Sequence, residues 1–352
     1  MRLGAFSCLG CVAPRSGTST GSLSAAASRE FLEPPGHMRL LTRCIAEDRP
    51  RFDQQTWLFA LSAVRCAGAI SDGIIEVGYV DRVNTSQARR LGAIGATVRV
   101  VERVNARHPP ANKLRMFEMT EHIGFDALVA ADCDIAFVGD PSPELPESTI
   151  GLRPADHDCM SSAGWQDLFH RLGSPLREVE TFPWKAEATT RYPYFNSGFI
   201  SVPRDLVTPL GNAWHTALER VDAYVTSLDH QPSWAFFTDQ IALSVALADT
   251  GLPVTILPPI LNVPSHLGRA PATRLREAPL AIHYHDHVTG KGYLLPCGVP
   301  LLDRAIVMLN AEIASATGGA PPKWLGLRAR IAMARSRLRR TRHRAARFVR
   351  GR

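Results

Sequence analysis

Asp132 and Asp134, separated only by Cys133, follow directly on the short, almost wholly apolar run ALVAAD (residues 127–132). Carboxylates at i and i+2 just past a buried strand can both reach one small region. Hard divalent cations such as Mg²⁺ and Mn²⁺ take such oxygen ligands and commonly hold substrate phosphates as well. The chemistry this suggests is departure of a phosphorylated leaving group, with the cation as Lewis acid. A bare D-x-D is common, and two solvated turn acids look the same in sequence. Its place after a buried strand gives the pair its weight.

Other residues could serve such a centre. His283, His285 and His287 fall within five positions. A lone strand histidine is more often a structural hydrogen-bonder, but three together point to ligation. Neutral imidazole can ligate Mn²⁺, and His283 and His285 would share one face of an extended strand. Lys291, between Gly290 and Gly292, reads as a phosphate contact with backbone free to approach, against the plainer reading of a loop lysine. Asn196-Ser197-Gly198 fits a place where backbone nears a ligand, or else a ligand-free bulge. Asp239-Gln240 opens a helix, where aspartate also serves as a cap. Asn112-Lys113, with Arg115, lies on the element before the D-x-D strand, and simple surface charge is the competing account.

The elements around these residues alternate. Strands are expected at 38–46, 74–80, 96–102 and 127–132, with helices at 52–68, 86–96 and, after the Pro109-Pro110 break, 111–121. That rhythm implies an α/β fold with a parallel, doubly wound sheet, which binds ligands beyond the carboxyl ends of its strands. A further short strand and a Gly-Asp-Pro turn follow Asp134. The second half is less regular: residues 151–195 read as a long insertion shaping an acceptor pocket. Residues 194–203 read as a strand with a tight small-residue turn, 239–251 as a helix stopped by glycine, and 254–263 and 280–285 as two more strands.

Five blocks, in order, resemble glycosyltransferase family 8, the glycogenin and lipopolysaccharide galactosyltransferase type. They are FDALVAADCDIAFVGDPSPEL (125–145), YFNSGFIS (194–201), Asp239-Gln240, LPPILN (257–262) and AIHYHDHVTGKG (281–292). The resemblance implies a GT-A fold, a mostly parallel Rossmann-like sheet with flanking helices. It implies a nucleotide-diphosphate-sugar donor, UDP-sugar foremost, a Mn²⁺ or Mg²⁺ cofactor and retention at the anomeric centre. By the same likeness Asp132 and Asp134 are metal ligands, joined by His283, which precedes an aromatic as the family histidine does, or by His285, which has the family spacing to a lysine. Asp239 would meet the sugar hydroxyls and Gln240 the reacting face. Lys113, Asn196, Ser197, Gly198, Asn262, Lys291 and Gly292 would contact nucleotide or substrate. Cys133 in the middle of the D-x-D, and Gly292-Tyr293 where the family has Pro-Trp, depart from its pattern.

Composition sets the outer limits. The 352 residues are 45% hydrophobic, enough for one large α/β domain. The organisation expected is a flexible leader (1–37), a catalytic domain (38–320, divided near 150 into nucleotide-binding and acceptor/metal halves) and a basic tail (321–352). Net charge is +7, yet twelve Lys and Arg with no acid lie between 323 and 352, leaving the body at −5. Apolar residues recurring among those arginines suggest an amphipathic helix for an anionic membrane surface, with nucleic acid disfavoured for want of any nucleic-acid module. The seven scattered cysteines form neither a disulfide framework nor a zinc spacing, as in a cytoplasmic protein. A thin n-region weighs against a secretory signal. The acceptor, whether glycan, lipid or protein, carries no motif. The rival readings are a haloacid-dehalogenase-like phosphatase, which also uses D-x-D after a strand, and a non-catalytic sugar-nucleotide-binding protein.

Overall fold

The computed structural model describes residues 38–119, 123–155, 158–176, 194–265 and 275–320. The expected leader and the amphipathic tail lie outside the described residues. Among those described, no helix is long and apolar enough to cross a membrane.

The first half follows the expected alternation. Strand β1 (Leu40–Glu47) leads into helix α1 (Pro50–Cys66), β2 (Ile74–Val80), α2 (Thr85–Gly92), β3 (Thr97–Val101), β4 (Ala127–Ala131) and β5 (Ile135–Phe137). All five β4 residues are buried, and their side chains alternate between two cores. Ala127, Val129 and Ala131 face a core that includes α1 residues, whereas Leu128 and Ala130 face the opposite one. This two-sided burial is why the run is continuously apolar.

The main sheet has the order β3-β2-β1-β4-β7-β6-β8. Here β6 is Ile150–Pro154, β7 is Phe195–Pro203 and β8 is Val254–Ile256. Six strands run one way; β7 alone opposes its neighbours β4 and β6. A small second sheet, β5-β10-β9, joins β9 (Val263–Pro264) and β10 (Ala281–His283) to the strand after the aspartates.

Several expectations need correction. The helix expected at 111–121 is a 3-10 helix, Pro109–Phe117, that begins at the two prolines instead of after them. Proline tolerates the first helical turn, whose N–H groups have no intrahelical partner. The supposed insertion contains β6 and helix α3 (Ser162–Leu172), capped by Ser161 and stopped by Gly173 in the left-handed conformation. No tight turn interrupts β7; its pairing with β6 shifts register between Gly151 and Arg153 instead. Residues 254–263 form two strands, not one, and β10 stops at His283.

The 24-residue helix α4 (Arg204–Ser227) was not expected from the sequence. It packs against α5 (Thr238–Thr250) and against the 3-10 helix. At Gly211 a Cβ would sit 2.8 Å from the Phe117 Cβ, so only glycine lets α4 lie this close. The last helix, α6 (Pro300–Thr317), covers the α1 side of the sheet.

Candidate active site

A cavity of about 570 Å³ opens at the ends of β1 and β4, alongside the 3-10 helix, beyond the carboxyl ends of the parallel strands. Its wall includes Asn112, Lys113, Asp132, Cys133, Asp134, Asn196, Asp239, Gln240, His283 and His285. Residues from five separate stretches of sequence therefore converge on one space.

Each wall residue has an element behind it. Asp132 leaves the end of β4 with its N–H on the Gly198 carbonyl at 2.9 Å, so β7 fixes where the pair emerges. The Asn196 side chain caps the same bend, accepting from Gly198 N at 2.7 Å and from Asn262 Nδ2 at 3.1 Å. A Cβ on Gly198 would stand 2.8 Å from Asn196 Oδ1 and 2.9 Å from both Asp132 Oδ2 and His283 Cε1. Glycine is required here by proximity, as its φ is not in the left-handed region.

Lys113 comes from the 3-10 helix. Its Nζ lies 2.9 Å from Asp132 Oδ1, 3.3 Å from Asp239 Oδ2 and 2.9 Å from Ser197 Oγ. Ser197, fully buried, donates its own hydrogen bond to Asp239 Oδ2 at 2.8 Å. The element carrying Lys113 is itself anchored from β1. Arg43, 1% exposed, donates to the Met116 and Glu118 carbonyls and pairs with buried Glu76 at 2.8 Å.

Two histidines close the opposite side. His283 Nε2 is 3.1 Å from Asp134 Oδ1 and 3.9 Å from Asp132 Oδ2. His285 Nδ1 is 3.6 Å from Asp134 Oδ2, and the two imidazoles stack with centroids 3.8 Å apart. The shared face expected of an extended strand is reached differently: β10 ends, and His285 takes a left-handed φ of 49°.

The charges are strongly coupled. Burial lowers the basicity of Lys113, but Asp132 and Asp239 outweigh it and hold the ammonium above its ordinary range. Burial presses Asp239 upward, yet the Lys113 ammonium keeps it well below the usual carboxylate range. Burial likewise opposes His283, which Asp134 nevertheless raises. Asp134 is in turn held low by the two imidazoles against its burial, whereas burial lifts Asp132 even against Lys113. Two desolvated carboxylates this close repel each other, and a divalent cation between them relieves that repulsion.

The donor set fits such a cation. Ligand atoms of Asp134, His283 and His285 lie within 4.8 Å of one another, and the missing Cβ of Gly198 leaves the space beside Asp132 open. Cys133 is buried and its thiol is pushed far above its ordinary value, first by burial and then by Asp134. It offers no thiolate; its Sγ donates to Gln55 Oε1 at 3.6 Å.

Other sequence candidates stand elsewhere. Ser197 and Asn262 are buried struts behind the cavity wall; Asn262, at φ 55°, accepts from Arg153 through its carbonyl. Lys291 is exposed and absent from the wall; Gly292, buried beside Gln54 of α1, is absent from it too. Arg115 pairs with Glu118 and Glu102 and does not line the cavity.

Sequence reasoning also misses wall and support residues. Glu47, Arg49 and Arg51 line the cavity from the end of β1, which the carboxyl-end rule for parallel strands could have flagged. Phe236 and Phe237, just ahead of Asp239, had no motif to reveal them. His108, 8% exposed, accepts from the Asp239 backbone N–H through Nε2 at 3.2 Å.

Residues 44–251 match the Rhodobacterales glycosyltransferase domain, more than half of the chain. The chain belongs to that glycosyltransferase family. The enzyme class expected from the five sequence blocks is therefore correct. Among curated proteins nothing matches it. Three solved structures are similar to this glycosyltransferase. Mouse xyloside xylosyltransferase 1, in its apo form, is 14% identical over 71% of this chain and 98% of its own, at TM-score 0.41. An active-site mutant of LgtC is 15% identical over 81% of this chain and 99% of its own, at TM-score 0.47. The bifunctional glycosyltransferase WbbM is 13% identical over 82% of this chain and 53% of its own, at TM-score 0.45. With every TM-score below 0.5, the assignment rests on the family match.

Proposed function

We propose that this glycosyltransferase is a GT-A-type, metal-dependent enzyme that moves a sugar from a nucleotide diphosphate, UDP foremost, to an acceptor with retention. The observation that carries this reading is the convergence of Asp132, Asp134 and His283 on one cavity wall, with Lys113 bridging to Asp239.

Asp134 and His283, with Asp132, would hold Mn²⁺ or Mg²⁺, which when bound supplies Lewis-acid stabilisation of charge on the leaving diphosphate. Lys113 keeps a fixed positive charge at the junction of Asp132 and Asp239. Asp239, held ionised, can only accept hydrogen bonds, which suits it to orient sugar hydroxyls. Gln240, the next residue on the same wall, offers an uncharged donor and acceptor beside the reacting face. Gly198, lacking a Cβ, lets Asn196, Asp132 and His283 pack together behind the ligand position. Phe236 and Phe237 lend apolar surface to the wall at the Gln240 end. The twelve Lys and Arg of residues 323–352 support attachment to an anionic membrane surface on the cytoplasmic side.

Thermal unfolding with UDP-, GDP- and ADP-sugars, each with and without Mn²⁺, tests the reading. Expected is metal-dependent protection by one nucleotide sugar, with slow release of free nucleotide. Protection by none of them, or turnover of simple phosphate esters instead, would overturn it.

A further inference from the structure

The turn after β10 supplies more than one imidazole to the aspartates. Tyr284 sends its ring into the core, fully buried, and its N–H to the Asp134 carbonyl at 3.1 Å. The His287 N–H then closes back on the Tyr284 carbonyl at 2.7 Å, with His285 at φ 49° between them. Non-glycine residues rarely adopt that conformation, and where they do the surroundings impose it. Continued as a strand, the chain would carry His285 about 6.6 Å beyond His283. The left-handed step instead folds its ring back over His283, at 3.8 Å and 24°.

The outcome is one imidazole nitrogen for each oxygen of Asp134, at 3.1 and 3.6 Å. Ligands about 2.1 Å from one octahedral ion lie about 3 Å apart in cis and about 4.2 Å in trans, and these three atoms span no more than 4.8 Å. Asp132, by contrast, has both oxygens on the Lys113 ammonium, at 2.9 and 3.0 Å. Asp286, the other acid of the turn, is taken by Arg51 at 2.8 Å.

We infer that His283 and His285 ligate the cation together with Asp134, and that this nitrogen-rich set selects a first-row transition ion over Mg²⁺. The inference rests on the metal-dependent reading above and narrows it. Mg²⁺ favours oxygen ligands and near-ideal octahedral geometry, whereas imidazole suits the transition ions.

The test is binding to the metal-free full chain. Co²⁺ is followed by its visible absorption and Mg²⁺ by calorimetry, for the native protein and for His285→Asn. Asparagine tolerates the left-handed backbone, so this variant removes the imidazole and keeps the turn; a melting curve checks its fold. His285→Gln provides a second variant. The native protein should bind Co²⁺ at least about 10-fold more tightly than Mg²⁺. Both variants should lose at least about 10-fold in Co²⁺ affinity, with an altered spectrum and unchanged Mg²⁺ binding. Native Co²⁺ affinity and spectrum in folded variants would overturn the inference and leave the metal-dependent reading standing. A native protein that binds neither ion, alone or with UDP, overturns both.

Discussion

The Lys113 Nζ lies 2.9 Å from Asp132 Oδ1, both groups half-buried in the cavity wall, so an ammonium from the 3-10 helix holds the first aspartate of the pair. The same Nζ is 3.3 Å from Asp239, at the start of α5. One cation thus ties the candidate metal end of the cavity to the start of α5.

Lys113→Met tests that tie. It leaves buried Asp239 and half-buried Asp132 without their counter-charge, and breaking a buried pair from one side costs about 3–5 kcal/mol. Urea unfolding should show a loss of that size, and glycosyl transfer should fall by orders of magnitude. A variant as stable as the native chain would contradict the role assigned to Lys113.

Gly198→Ala should crowd Asn196, Asp132 and His283 at once, since the added Cβ meets all three within 2.9 Å. Overpacking of this kind costs about 1–3 kcal/mol, and Mn²⁺ affinity should fall with it. Gly290→Ala, whose Cβ meets nothing within 4 Å, is the matched control and should be silent. Calorimetric Mn²⁺ titration of both variants decides the matter; equal affinities would exclude close packing at Gly198 as a determinant of the site.

The depressed Asp239 carboxyl gives a pH signature. A carboxylate whose folded value lies below its unfolded one stabilises the fold fully above about pH 4 and loses that contribution as pH falls through the folded value. Asp239→Asn should therefore unfold more readily at neutral pH, with the deficit shrinking as the native chain is acidified below about pH 4. Denaturant melts across pH 2–7 measure the difference; a deficit constant over that range would contradict the coupling with Lys113.

Much of this site is legible in the amino-acid sequence. The i, i+2 aspartates and the buried run ahead of them place the cavity, because a strand buried on both faces has to be continuously apolar. What escapes is whatever depends on contacts distant in sequence. Lys113 is expected to meet the nucleotide, with surface charge as the plainer account, because nothing local signals that Asp132 and Asp239 lie beside it. The α4 helix goes unnoticed although it supports the 3-10 helix through Gly211. His285 is expected on an extended strand, since periodicity carries no warning of a left-handed turn. Lys291 looks like a phosphate contact from its flanking glycines, yet it stands off the cavity wall.

Cys133 occupies the middle of the D-x-D but faces Gln55 and stays protonated. Cys133→Ala should leave Mn²⁺ affinity within about 3-fold of native, because a protonated thiol is not a ligand. A loss of 10-fold or more would make the sulfur a ligand after all.

The central claim is tested most directly by anomalous diffraction at the manganese edge from crystals grown with Mn²⁺ and UDP. The account predicts one strong peak within bonding distance of Asp134 and His283 and of the diphosphate oxygens. A peak bound to the diphosphate but remote from both side chains, or nucleotide bound outside this cavity, would contradict it.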